Sequence, residues 1–167
     1  KDVGVDGDAQ RIGQMVWMFF LKILDDREQE LELIDDEFVS ALPEHLRWRN
    51  WAGEREGLTG DGLFDFVQDT LFPKLKAPVK VQGPQREQAL IIQRVFENAY
   101  NYMKSGTLMR QVINKINEID FNNREDWHTF GGIYEQILRD LQSAGNAGEF
   151  YTPRAVTRFI VNRVDPK

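Results

Sequence analysis

Apolar residues recur at three- and four-residue spacing along most of this chain, and no stretch of useful length alternates with period two. The pattern predicts helices and no substantial sheet. From Arg11 to Asp26, the residues Ile12, Met15, Val16, Phe19, Phe20, Ile23 and Leu24 keep helical spacing, while Trp17, Met18 and Leu21 make the segment apolar nearly all round. Such a segment reads as a central, buried helix, continuing or restarting around Glu28 to Leu33. Leu63, Phe66, Val67, Thr70 and Leu71 predict a helix that ends by Phe72-Pro73, because proline disfavours helical backbone at the residue before it. Leu90, Ile91, Val95, Ala99, Tyr102 and Met103 form a stripe, widened by Ile92, Phe96 and Tyr100, that predicts helix from Gln85 to Lys104. After a break at Ser105-Gly106-Thr107, a further stripe runs through Leu108, Met109, Val112, Ile113, Ile116 and Ile119, ended near Asp120 by the Asn122-Asn123 turn. Trp127, Phe130, Tyr134, Ile137, Leu138 and Leu141 mark another helix, in which Gly131-Gly132 predicts a close backbone crossing. The expected fold is all-α, a compact bundle of about six to eight helices. Residues 1–10 are polar and without periodicity, and read as a frayed terminus.

Composition narrows this picture. The 167 residues are 41% hydrophobic and 29% charged, which suits one soluble domain with a real core. Cysteine is absent and the two histidines, His45 and His128, lie far apart, so neither disulfides nor a histidine- or thiolate-based metal site is expected. The most apolar run, Met15 to Leu24, is too short to span a bilayer and lacks the flanks of a signal peptide, so the expectation is a cytoplasmic protein without a membrane partner.

The net charge of -6 is unevenly spread. Eight acids between Asp25 and Glu37 face the single Arg27, and the rest of the chain is close to neutral, so one face is free to be basic. The acids read as a solvated face. Arg47, Trp48, Arg49, Trp51 and Arg55 interleave bases with aromatics, a pattern that suits phosphate pairing and base stacking. The other reading has Trp48 and Trp51 pinning an irregular loop to the core while the arginines stay solvated.

Residues 145–164, GNAGEFYTPRAVTRFIVNRV, carry the clearest local chemistry. Thr152 is a good N-cap, Pro153 suits the first helical position, and Val156, Phe159, Ile160 and Val164 follow on one face. A helix start of this kind presents free N–H donors and partial positive charge to an anion. No nucleophile elbow, P-loop or histidine-carboxylate constellation accompanies it. Val161 to Lys167 stops as a helix gives way to a turn, which reads as a fragment of a longer protein.

The block Gly148 to Arg154, GEFYTPR, preceded by Ile133 to Leu141, resembles the N-terminal region of adenine-N6 DNA methyltransferases, specifically the modification subunit of type I restriction-modification systems. Residues 20–25 (FLKILD), 47–52 (RWRNWA), 102–108 (YMKSGTL) and 117–120 (NEID) resemble that subunit's helical N-terminal domain, so the similarity runs from about Ile12 onward. The resemblance implies a helical domain over 11–143 and, over 144–167, a loop and helix that cap the S-adenosylmethionine pocket of a Rossmann-like catalytic domain beyond this chain. Glu149, Phe150, Tyr151, Thr152, Pro153 and Arg154 are then the expected cofactor-binding residues. Implied partners are double-stranded DNA, the specificity subunit, a second methyltransferase subunit and the restriction subunit. Arg47, Arg49, Arg55, Lys104 and Arg110 are the expected DNA-facing residues, chosen by charge and loop position. The glycine-rich cofactor motif and the (Asp/Asn)-Pro-Pro-aromatic motif of the family are absent, so the chain alone is expected to be inactive, as part of an enzyme. The alternative is a free-standing helical interaction or regulatory module in which FYTPR is a capped helix start.

Overall fold

The computed structural model describes residues 2–123, and these contain helices and turns with no strand. Helix α1 (Asp8–Ile34) runs unbroken for 27 residues. A single turn at Glu44–Leu46 leads into the short α2 (Trp48–Trp51). Helix α3 (Gly60–Asp65) passes through a π-helical stretch, Phe66–Leu71, into α4 (Phe72–Lys76). Helices α5 (Gln85–Glu97) and α6 (Gly106–Ile116) complete the described elements.

One part of the core lies where α1, α4 and α5 meet, and the same cluster continues through Trp48, Trp51, Leu63, Val67, Met109 and Ile113. Trp17 of α1 packs edge-on against Phe72 at 5.1 Å, Phe72 against Phe96 of α5 at 5.4 Å, and Phe96 against Phe20 of α1 at 6.2 Å. Such edge-to-face pairs add about 0.5–1.5 kcal/mol each beyond the area they bury. The fully buried apolar residues of α1 and α5 are Trp17, Met18, Leu21, Ile92 and Phe96, which flank the stripes read from spacing, whereas the stripe residues Val16 (45%) and Ile91 (56%) are exposed and most others are half-buried.

The helix expected to stop before Pro73 continues through it. At the junction the Phe72 N–H bonds to the Val67 carbonyl, five residues back, so the helix has widened from α to π register. A π segment inserts one residue into the helix and relaxes the ladder beside a proline that has no N–H to give. Phe72 keeps helical backbone angles, and Phe72 before the proline and Leu75 after it both reach the core.

The helix expected over Gln85 to Lys104 is shorter than its stripe. It ends at Glu97, and residues 99–105 form an extended strap. The strap's N–H groups are met by side chains from elsewhere. Gln14 Oε1 accepts from the Tyr102 and Met103 N–H groups at 2.7 and 3.3 Å. Asp2 accepts from Lys104 and Ser105 at 3.0 and 2.8 Å. Asp2 and Val5 are buried, so the terminus expected to fray over 1–10 is docked across residues 2–5. A Cβ on Gly4 would sit 2.0 Å from the Tyr102 carbonyl oxygen, which shows how closely the two backbones approach.

The strap ends at Ser105, whose hydroxyl accepts from the Leu108 N–H and caps α6. Immediately after it, Gly106 crosses the start of α3. A Cβ there would fall 1.8 Å from the Gly60 carbonyl oxygen. The Gly131-Gly132 pair and the helix of Trp127 to Leu141 lie outside the described residues.

Candidate functional site

Two polar assemblies organise the surface around the loop between α2 and α3. On the first, the acidic half of α1 is clamped rather than solvated. Asp25, Asp26 and Glu28 are buried. Arg49 donates through Nε to Asp25 at 2.8 Å and through a terminal nitrogen to Glu32 at 2.6 Å, and Arg47 reaches the other Glu32 oxygen at 3.0 Å. Lys22 binds Asp26 at 2.5 Å, and the Phe121 N–H approaches the same carboxylate at 3.3 Å. Glu28 accepts from the Ser40 hydroxyl at 2.7 Å and from Gln88 at 3.0 Å. Burial raises the Glu28 pKa, with those two hydrogen bonds and the Arg47 charge opposing. Burial lowers the Arg49 pKa, but its bonds to Asp25 and Glu32 outweigh this and leave it raised. The expectation of a solvated acidic face is therefore corrected in part: Asp25 and Glu32 meet arginines of the α2 segment, Asp26 meets Lys22 and Glu28 meets Ser40 and Gln88, whereas Asp35, Asp36 and Glu37 stay exposed.

Between these arginines the tryptophans turn inward. Trp48 and Trp51 pack edge to face at 5.1 Å and are buried, with indole N–H groups bonded to Asn117 at 2.7 Å and to the Leu46 carbonyl at 3.2 Å. They pin the segment to the core, and base stacking is closed to them in this arrangement.

The second assembly is a ladder on α6. Arg110 is only 5% exposed. Its guanidinium donates to the carbonyls of Trp51 (2.9 Å), Ala52 (3.0 Å), Glu54 (3.1 Å) and Leu58 (2.8 and 2.5 Å). Asn117 donates to the Ala52 carbonyl at 2.8 Å and Asn114 to that of Arg55 at 3.2 Å. Burial lowers the Arg110 pKa. Placing Arg110 among DNA-facing residues is thereby corrected: all its nitrogens are spent inside, holding a loop. Sequence reasoning missed Asn114 and Asn117, although polar residues at 110, 114 and 117 share a helix face, and that spacing is a readable signal.

Of the five cations expected to face DNA, two point outward without a carboxylate partner among the described residues. Arg55 is exposed on the turn held by the ladder, where the Gly57 N–H bonds back to the Glu54 carbonyl. Lys104 is exposed on the strap, its ammonium 5.7 Å from the Phe64 ring centre. Glu149, Phe150, Tyr151, Thr152, Pro153 and Arg154 lie outside the described residues. No helix among the described residues is long and apolar enough to cross a membrane.

Residues 2–116 match the family described as HsdM N-terminal domain, and residues 125–167 match the one described as N-6 DNA Methylase. Over its whole length the chain is 60% identical to the type I restriction enzyme EcoEI methylase subunit of Escherichia coli, of which it covers 34%. It is 20% identical, over 93% of its length, to the StySPI methylase subunit of Salmonella potsdam, covering 26% of that protein. The chain thus spans about a third or less of the curated relatives it matches. Among solved structures it is similar to a modification subunit assigned to a type I restriction enzyme from Vibrio vulnificus YJ016, with TM-score 0.80 and 40% identity over 99% of this chain and 37% of that one. A chain solved in work on complex assembly and conformational transition of the type I R-M system gives TM-score 0.77 and 34% identity, covering 99% of this chain and 33% of that one.

Proposed function

The chain belongs to the HsdM N-terminal domain family of type I restriction-modification methylase subunits, and from that premise we propose that it serves as the DNA-enclosing and assembly domain of an adenine-N6 methyltransferase subunit. The observation that carries this reading is the order of the two family matches: a helical domain over 2–116, then the opening of a methylase domain from 125. In such an arrangement chemistry belongs to the catalytic domain, where a target adenine leaves the base stack. The helical domain supports one side of the duplex and meets the specificity subunit and a second methylase subunit.

Within that reading, Arg55 and Lys104 make phosphate contacts, while Arg47 and Arg49 hold the acidic face of α1. Phosphate contacts position the duplex and carry little sequence information, so target choice is left to the specificity subunit. The cofactor supplied to the full-length subunit is S-adenosylmethionine. The donor set of residues 149–154 suits part of it: the Thr152 hydroxyl and neighbouring N–H groups donate to its carboxylate, and Phe150 or Tyr151 covers an apolar portion.

Two variants of the full-length subunit, assembled with its specificity subunit, test the two halves of this proposal. Arg55→Ala with Lys104→Ala raises the Kd for duplex DNA on the order of tenfold and lowers the slope of log K against log salt by roughly 2. Unchanged affinity and slope would remove both residues from the interface. Tyr151→Ala with Thr152→Ala weakens S-adenosylmethionine binding while far-UV dichroism is unchanged; unaltered cofactor affinity in a folded subunit rejects the capping role.

A further inference from the structure

The loop after α2 has its carbonyls turned inward and its N–H groups turned out. Arg110 and Asn114 of α6, with Asn117 at its end, take the carbonyls of Ala52, Glu54, Arg55 and Leu58 at 2.5–3.2 Å. No cis peptide bond occurs among the described residues, so the N–H that follows each of these carbonyls points the opposite way. The outward groups are therefore those of Gly53, Arg55, Glu56 and Thr59, all exposed residues. None of these N–H groups has an acceptor among the described residues. Behind them lies a full charge. Arg110 meets carbonyls and no carboxylate among the described residues, and burial is what lowers its pKa. A buried cation without a counter-charge acts on its surroundings through the peptide dipoles it has oriented, and their positive ends emerge on the loop surface. The Arg55 guanidinium, exposed on the same loop, adds a second positive group.

We propose that residues 53–59 form a backbone seat for a phosphate of duplex DNA, built from the outward N–H groups and the Arg55 guanidinium, with Arg110, Asn114 and Asn117 as positioning residues that never touch the duplex. Neighbouring free N–H groups make anion-binding concavities, and phosphate oxygens on DNA regularly accept from backbone N–H. Glu54 and Glu56 are exposed on either side of Arg55 and repel the same phosphate. Their flexible side chains can swing into water, whereas the N–H groups are held in place by the ladder beneath. A seat shaped in advance gives up little conformational freedom on binding. The proposal rests on the DNA-enclosing reading above and deepens it: a contact assigned there to one arginine side chain becomes the contact of a whole loop, and Arg110 serves DNA from inside the fold.

The full-length subunit assembled with its specificity subunit carries the test. Hydrogen exchange read by mass spectrometry on peptides covering 53–59 slows on the order of tenfold when duplex is added, and assembly with the specificity subunit alone leaves it unchanged. Asn114→Ala frees the Arg55 carbonyl and removes no charge. It raises the Kd for duplex on the order of threefold with the slope of log K against log salt unchanged, whereas Arg55→Ala lowers that slope by roughly 1. Glu54→Gln with Glu56→Gln tightens duplex binding. The exchange measurement uses the parent protein, so it stands whatever a variant does to stability. Loop amides that exchange equally fast with and without duplex overturn the proposal, while Arg55 and Lys104 keep their side-chain contacts and the wider reading survives. Protection that appears on assembly, before any DNA, also overturns it, because the loop then faces a protein. A duplex affinity indifferent to Arg55 and Lys104 together removes the wider reading and this one with it.

Discussion

Arg49 and Arg110 are both engaged by partners within the fold, but by different physics. Arg49 is 28% exposed at its side chain and meets Asp25 and Glu32, full negative charges on α1. Arg110 is almost fully enclosed and meets only carbonyl dipoles, one at the end of α2 and three on the loop that follows. The first arrangement joins two helical segments through charge. The second fixes the course of an irregular backbone, and a loop so gripped keeps its shape whatever its exposed side chains are. Lysine suits neither place, since its single ammonium has no planar fork to span several acceptors.

The largest effect that separates the two sides comes from Arg110→Met. It leaves the enclosed carbonyls of Trp51, Ala52 and Leu58 with fewer donors and costs about 3 kcal/mol or more in urea unfolding, scarcely altered by 1 M sodium chloride. A loss below that of the Arg49 variant would break the comparison. Arg49→Met removes a partly solvated ion pair and costs roughly 1–2 kcal/mol, most of which strands the buried Asp25 carboxylate. The screened share of that cost shrinks in high salt, and equal salt response by both variants would erase the distinction between charge and dipole.

The smallest effect probes the clamped side through pH. Glu28 has its pKa raised above 4.5 by burial, so the folded chain binds that proton more tightly than the unfolded chain does. Its contribution favours the fold at low pH and erodes as pH rises from the unfolded value through the folded one. Glu28→Gln therefore matches the parent in acid and exceeds it near neutrality by a few tenths to about 1 kcal/mol. Asp2 runs in the opposite sense. Burial alone would raise its pKa, but three backbone N–H groups lower it below 3.8, so its stabilisation holds above that value and is lost as pH falls through the folded one. If the Glu28→Gln difference were flat with pH, proton linkage would have no part in the clamp.

The sequence was most legible where a partner lies within one helical turn. That α1, α5 and α6 are helices, that the described residues hold no strand and that a break precedes α6 follow from spacing alone, although the buried face of α1 and α5 lies beside the stripe. The inward turn of Trp48 and Trp51 was one of two open readings, and their size and paired spacing were the clue. What spacing concealed was settled by residues far away in the chain. Nothing near Tyr102 announces that Gln14 will take its N–H, 88 positions earlier, so an apolar stripe read as helix became a strap. Asp25 and Glu32 looked solvated because their arginines come from another segment. Pro73 looked like a terminator because a one-residue π insertion leaves no mark in composition. For the candidate site, charge and loop position distinguished neither Arg110 from Arg55 nor a clamp from a contact, since both depend on which way a side chain faces.

The strap also governs when this domain is finished. The hydrogen bonds that bring Asp2 onto residues 104 and 105 close a circuit of more than a hundred residues. Local helices form as soon as their own turns exist, but this closure is available only once the far end has been synthesised. During translation the Asp2 carboxylate and Val5 thus wait, with the socket that will receive them still unmade, and the ribosome's progress past Ser105 sets the earliest moment at which the fold locks.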